Sequence, residues 1–299
     1  MTPEDILSHA SRVLTTAQRG SYFASGFVTV DGAIPSVWMD RLRETSARLL
    51  DASRAEVVSN NAYDIGPAHS PNKPHVRRLK ALVDRDRLFW EFAASPDSPL
   101  PDIAADLVGP DVKFHSAKLN YKWPGGGEVV KWHQDILAWP HTNYSPVTLG
   151  VYLGQVTPAH GPLICIPGSH DGPLHFHTDA AGNWTGSVSE MDLESVDLNS
   201  GVEALGSAGS LVAINCRTIH GSRANTSAEV RPMALYVYSS ADAFAWMPPP
   251  SPTTKTGELV RGTLPRFSHV DSRPCPVPPN WAKISYGSIF TAQAGKVEM

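Results

Sequence analysis

Near residue 113 the hydrophobic period of the chain drops from about 3.6 residues to about 2, and this change constrains the fold more than any other feature. Upstream, apolar residues recur one helical turn apart. Thr2-Pro3-Glu4-Asp5 has the form of an N-cap, a proline at the first helical position and an acidic first turn. Ile34-Pro35 opens a second helix, with Trp38 and Leu42 one turn apart and Leu49 and Leu50 further along. Leu88, Phe89, Trp90 and Phe92 mark a third helix, and Ile103 and Leu107 a fourth that Gly109 stops. A short apolar strand at Phe27-Val28-Thr29-Val30 interrupts the series. From Lys113 to Tyr121 the pattern alternates, setting Ser116, Lys118 and Asn120 on one strand face and Ala117, Leu119 and Tyr121 on the other. Further strands are predicted at 148–153, 163–166, 211–215 and 233–238, each bounded by Gly, Pro or Asn.

Helices first and short strands after, with no linker and no repeat, predict one domain over 1–299. It has a mostly helical flank (1–110), an antiparallel β core (111–245) and a proline-rich tail (246–299) that wraps the surface. The 23 Gly and 26 Pro suit so many turns. Residues 170–209 are polar and irregular, and a stretch that long inside a compact domain predicts a lid or insertion over the substrate side. Substrate choice is expected on that stretch and on the loops at 60–74 and 139–146.

Charge excludes some functions. Lys and Arg number 25 against 29 Asp and Glu, so no basic face for nucleic acid or an anionic membrane is expected. No apolar run reaches the length of a membrane span, and the acidic N-terminus lacks the order of a signal peptide. Cys165, Cys216 and Cys275 form an odd set without a close pair, which fits a reducing compartment, and a cytoplasmic location is the expectation.

The most informative segment is Lys131-Trp132-His133-Gln134-Asp135. On a strand or strand end, His133 and Asp135 point to the same side and can reach one metal ion. His220 follows the strand at 211–215, and two histidines plus a carboxylate form the facial triad of non-haem Fe(II) oxygenases. An H-x-D pair alone also arises by chance. Arg231 shares a strand face with Met233, Leu235 and Val237, so it points into an apolar interior where it needs an anionic partner. The other reading of Arg231 is a strand-start arginine in a surface ion pair. Arg223, in a Gly/Ser/Asn-rich turn, is expected to face water.

Four ordered segments carry a resemblance. They are Lys118-Leu-Asn-Tyr-Lys-Trp-Pro-Gly-Gly-Gly, Trp132-His-Gln-Asp, Gly161-Pro-Leu-Ile-Cys-Ile-Pro-Gly-Ser-His, and His220-Gly-Ser-Arg-Ala-Asn-Thr-Ser with Arg231 beyond. Over residues 20–245 the chain resembles the phytanoyl-CoA dioxygenase family of Fe(II)/2-oxoglutarate-dependent oxygenases. The resemblance implies a double-stranded β-helix (jelly-roll, cupin-like) core and a metal triad of His133, Asp135 and His220. It also implies 2-oxoglutarate as cosubstrate, O2 as oxidant, and ascorbate as a useful additive in vitro. Arg231 then pairs with the distal carboxylate of 2-oxoglutarate, and Ser222 assists it. Lys118, Asn120 and Trp139 match cosubstrate-side or pocket positions of the ectoine-hydroxylase branch. The implied reaction is oxidation, by default hydroxylation, of a small-molecule metabolite with release of succinate and CO2. A homodimer stays open, and so do two other functions, a non-catalytic jelly-roll that binds metal or a small carboxylate and an oxygen-independent cupin-type metalloenzyme.

Other histidines and the thiols take plainer readings. His175 and His177 have metal-like spacing but lie in the polar stretch with no carboxylate fixed beside them. His170 suits a structural hydrogen bond, and Cys216 a buried thiol near the site. Gly125–Gly127 lacks the strand-to-helix context of a phosphate loop and is expected to be a turn.

Overall fold

A computed structural model of the chain describes residues 1–299 except 126–128, 282, 284–287 and 296–299. The N-terminal helices are α1 (Pro3–Ser8), α2 (Thr16–Ser25), α3 (Ser36–Ala52), α4 (Arg87–Ala94) and α5 (Leu100–Val108). At the start of α1, Thr2 accepts from the Asp5 amide while the Asp5 carboxylate accepts from that of Thr2. The same reciprocal cap at Thr15 and Gln18 starts α2, a helix the apolar spacing does not reveal. Gly109 closes α5 at a φ of 101°, a conformation that favours glycine.

Two antiparallel sheets follow. The larger contains β1 (Phe27–Val30), β2 (Tyr63–Ile65), β3 (Val76–Leu79), β4 (Val112–Lys122), β6 (Val147–Tyr152), β9 (Leu211–Asn215) and β11 (Arg231–Ser240), in the order β1-β9-β6-β11-β4-β3-β2. β12 (Leu259–Arg261) also pairs with β4. The smaller contains β5 (Val130–His133), β7 (Leu163–Cys165), β8 (Val202–Ala204) and β10 (His220–Ser222), in the order β5-β10-β7-β8. This is the double-stranded β-helix of a jelly roll. One face of the large sheet packs on the helices through Phe114, Leu119, Tyr236 and Phe92. Its other face meets residues of the small sheet through Leu163, Cys165, Ile214, Met233 and Leu235. The site lies between these layers.

The strict alternation expected along 113–121 breaks once. Across β4 and β11, Val237 pairs with Ser116 and Tyr238 with Phe114, which leaves His115 as an extra residue in a bulge. The bulge sends Phe114 to the helix side while His115 and Ser116 both line the cavity.

Three expectations need correction. The stretch 170–209 is not loop throughout: α6 (Glu190–Leu193) is a single turn, and β8 completes the small sheet beside β7. Within it His175, His177, Trp184 and Val188 are buried. The tail does more than wrap the surface, because Pro249, Pro250 and Ser251 line the cavity together with Ile289 and Phe290 of α7 (Ile289–Gln293). The loop at 60–74 contains β2, which pairs with β3. Gly126 and Gly127 lie outside the described residues.

Candidate active site

His133 ends β5 and His220 begins β10, and the two are direct partners across the antiparallel ladder. Opposite positions bring side chains together, and the imidazole centroids stand 4.1 Å apart. Each ring is aimed by the backbone. His133 Nδ1 lies 2.9 Å from the Lys131 carbonyl and His220 Nδ1 2.9 Å from that of Thr218. A carbonyl can only accept, so both Nδ1 atoms carry the proton and both Nε2 atoms are free to ligate. Those Nε2 atoms stand 3.7 and 4.0 Å from Asp135 Oδ1. Asp135 opens a short 3-10 turn after β5, and its other oxygen accepts a 2.7 Å bond from Thr148 Oγ1 on β6. Burial, reinforced by His220, holds His133 well below its usual range, hence neutral. Burial pushes the Asp135 carboxyl up, but His220, Lys118, His133 and the Thr148 bond outweigh it and hold it at about 2. Two imidazoles aimed by backbone carbonyls and an ionised carboxylate, with ligand atoms within 4.8 Å of one another, form the donor set that suits a ferrous ion.

The cavity beside this triad is cationic further along. Arg231 and Lys122 are cross-strand partners on β11 and β4, and both side chains are buried. Arg231 donates to the Gly161 carbonyl at 3.1 Å and approaches Met233 Sδ at 3.5 Å, while its Nε has no hydrogen-bond partner among the described residues. No carboxylate of those residues lies within ion-pair distance of it. Burial, opposed by Tyr152, draws Arg231 down to about 10, so it keeps its charge at neutral pH. Lys122 Nζ donates to Ser222 Oγ at 2.7 Å, to Gly161 at 3.2 Å and to the Arg223 carbonyl. The Ser222 hydroxyl thus accepts from Lys122, the cross-strand partner of Arg231. Between this pair and the triad stands Asn120, whose Oδ1 accepts a 2.9 Å bond from Arg78 on β3.

The family model described as phytanoyl-CoA dioxygenase matches residues 22–233. The chain belongs to the phytanoyl-CoA dioxygenase family. It is an Fe(II)/2-oxoglutarate-dependent dioxygenase of the jelly-roll class. It is 30% identical over 241 residues to the ectoine dioxygenase of Sphingopyxis alaskensis, covering 76% of each chain. It is 26% identical over 231 residues to a probable alpha-ketoglutarate-dependent hypophosphite dioxygenase of Stutzerimonas stutzeri, covering 76% of this chain and 79% of that one. The fold is similar to the crystal structure of EctD from S. alaskensis with 2-oxoglutarate and 5-hydroxyectoine. There the TM-score is 0.66 and the identity 22%, with 90% of this chain and 92% of that one covered.

In this dioxygenase, Lys118 and Trp139 line the same cavity as the triad. Burial, helped by Arg78 and opposed by Asp135, draws Lys118 down to about 8. Trp139 packs beside His115 and His141 at 5.1 and 5.9 Å. His177 also lines the cavity; burial draws it down to about 3, and its Nε2 accepts from the Gln134 amide at 3.2 Å. His175 is outside the cavity lining, so the pair is not brought to one point there. His170 Nε2 donates to the Phe23 carbonyl at 3.0 Å. Cys216 is buried, and burial raises its thiol well above the usual range. Arg223 pairs at the surface with Glu203 at 3.1 Å. No helix of the described residues is long and apolar enough to cross a membrane.

Sequence reasoning missed Thr148, Lys122, Arg78 and Gln134. Gln134 sits between two triad residues and is fully buried. Its amide donates to the Arg217 and Pro173 carbonyls at 2.7 and 3.1 Å and accepts from the His175 amide at 2.9 Å, tying the ligand turn to the loop over it. Lys122 was legible in the alternation of β4, two residues beyond Asn120. Thr148, by contrast, reads only as one more strand residue.

Proposed function

We propose that the protein hydroxylates a small-molecule metabolite, with oxidative conversion of 2-oxoglutarate to succinate and CO2. Its working unit is the whole chain as one domain. Iron would be held by His133, Asp135 and His220, and 2-oxoglutarate would be anchored by Arg231 with Ser222 and Asn120 beside it. Lys118 and Trp139 would border the substrate. The bound iron, with 2-oxoglutarate and O2, supplies the oxidising power; ascorbate would keep the metal reduced between turnovers. The chain's own residues aim the donors, exclude water and hold a C–H bond close by. The relatives' names point to compact substrates, ectoine and hypophosphite, which favours a small molecule here too.

The observation that carries this reading is Arg231. It is a buried guanidinium with an unpartnered Nε, in the cavity that also holds a two-histidine, one-carboxylate cluster. Burying such a charge without an anion is costly, and a guanidinium is a forked donor matched to a carboxylate. Aerobic incubation with Fe(II), ascorbate and 2-oxoglutarate should release succinate, and candidate metabolites that raise that rate identify the substrate by product mass. Absence of 2-oxoglutarate binding to the metal-loaded protein would end the proposal.

A further inference from the structure

His115 occupies the bulge of β4, and its ring is turned into the cavity. Its Nδ1 lies 2.9 Å from Ser116 Oγ, while its buried Nε2 has no hydrogen-bond partner among the described residues. Three residues on, Lys118 lines the same cavity with its ammonium outside ion-pair distance of every described carboxylate. Asp135 is the only carboxylate among the described residues that line this space; it is bonded to Thr148 and faces the two triad histidines, and Lys118 acts on it from beyond ion-pair distance. Lys118 and Lys122 lie on one face of β4 four residues apart, about 13 Å along the strand. Arg231, opposite Lys122, and the Lys118–His115 pair therefore enter the cavity from different rungs of the sheet.

We propose that Lys118 and the bulged His115 form a subsite for an anionic group of the substrate, a carboxylate or a comparably small oxyanion, at the end of the cavity away from Arg231. The assignment rests on the reading of Arg231 as the cosubstrate anchor. When Ser116 donates its hydroxyl proton to Nδ1, Nε2 carries the ring proton and donates into the cavity. Burial, reinforced by His141 and Lys118, keeps His115 uncharged, so Lys118 supplies the charge and His115 the direction. Trp139, 5.1 Å from the His115 ring, provides an apolar wall for the rest of the molecule. A bulge is the local device that makes this possible, because an unbroken ladder would turn His115 to the helix side.

The test titrates the protein, loaded with Mn(II) and 2-oxoglutarate, with acetate, hypophosphite and phosphite by calorimetry at fixed ionic strength. Neutral acetamide is the control. At least one anion should bind and acetamide should not. Lys118→Met and Lys118→Gln should each weaken the anion by roughly 10-fold or more and leave 2-oxoglutarate affinity within about two-fold. His115→Leu should weaken it by a smaller factor, and His115→Gln, which keeps a donor, should restore most of the loss. Equal binding of acetamide, or binding of no anion, would overturn the subsite. So would anion binding that survives both Lys118 variants, which would assign the anion to the metal. Loss of 2-oxoglutarate affinity in those variants would assign Lys118 to the cosubstrate instead and overturn it as well. If the unsubstituted protein failed to bind 2-oxoglutarate, the cosubstrate reading would fall and the subsite with it; 2-oxoglutarate binding without anion binding removes the subsite alone.

Discussion

In the four-stranded sheet the residues facing each other across the ladder are His133 and His220; in the eight-stranded sheet the matching cavity pair is Lys122 and Arg231. Both pairs use one device, opposite positions on antiparallel strands, which brings side chains to about 5 Å at Cβ. Burial then acts on them differently. An imidazole titrates close to neutral pH, so a modest penalty removes its charge, and His133 stays neutral. A guanidinium starts so high that burial leaves Arg231 at about 10 and still charged. On the proposed reading the first pair serves a cation and the buried, still charged Arg231 of the second serves an anion. Asp135, on the turn after β5, is the sole negative group of the described cavity lining and belongs to the cation-binding end.

The contrast can be broken most sharply at Asp135. Asp135→Ala leaves the two imidazoles without a carboxylate, and the expected outcome is loss of bound iron after desalting and of 2-oxoglutarate turnover. Retention of both iron and turnover in that variant would mean that Asp135 is not a required ligand. Arg231→Ala attacks the other pair. Losing a charge-assisted, bidentate contact in a dry site should cost about 2–4 kcal/mol, roughly 30- to 1,000-fold in 2-oxoglutarate affinity, with metal content unchanged. Calorimetry on the Mn(II)-loaded variant reads this directly.

A third prediction concerns burial acting on a histidine outside both pairs. His141 donates Nδ1–H to the Trp139 carbonyl at 2.8 Å, yet burial draws it down to about 4 from an ordinary 6.5. The unfolded chain takes up this proton first as pH falls. The contribution is thus fully present above about 6.5 and is lost as pH falls toward 4, about 3 kcal/mol in all. Urea unfolding of metal-free protein at pH 7 and 4.5 should show that His141→Asn flattens part of the acid loss. The smallest effect is expected at Thr148. Thr148→Val removes the bond that orients Asp135 and should weaken metal affinity roughly 10- to 100-fold without moving 2-oxoglutarate binding at saturating metal.

Much of the fold was legible because its signals are local. The reciprocal cap at Thr2, the apolar spacing of α3 to α5 and the strands β4, β6, β7, β9 and β11 all follow from periods within a dozen residues. Helix α2 escaped because its apolar pattern is weak, although its Thr15–Gln18 cap was there to be read. Strand β8 escaped because three residues inside a polar stretch carry no period of their own; pairing with β7 makes them a strand. The same division holds in the site. His133 and Asp135 are linked by i, i+2 geometry, and Arg231 by its inward strand face. Thr148 and Arg78 show their roles only through the partners that pairing brings to them, Asp135 and Asn120.

By itself the sequence determined which residue types could form a metal end and an anion end, since side-chain chemistry and short spacings are properties of the chain alone. It also determined that helices would cover a β core, because hydrophobic period is a local quantity. Only the tertiary structure decided that His133 and His220 are direct partners, that Ser222 is bonded to Lys122, and that the tail residues Pro249 and Phe290 enter the cavity wall. It alone decided that His115 faces inward, because a bulge is a mismatch between two strands and exists only once both are paired. Register joins residues separated by a hundred positions through backbone hydrogen bonds that are nearly indifferent to side-chain identity. The cavity those residues enclose is for that reason written in the pairing of the strands, and no single segment contains it.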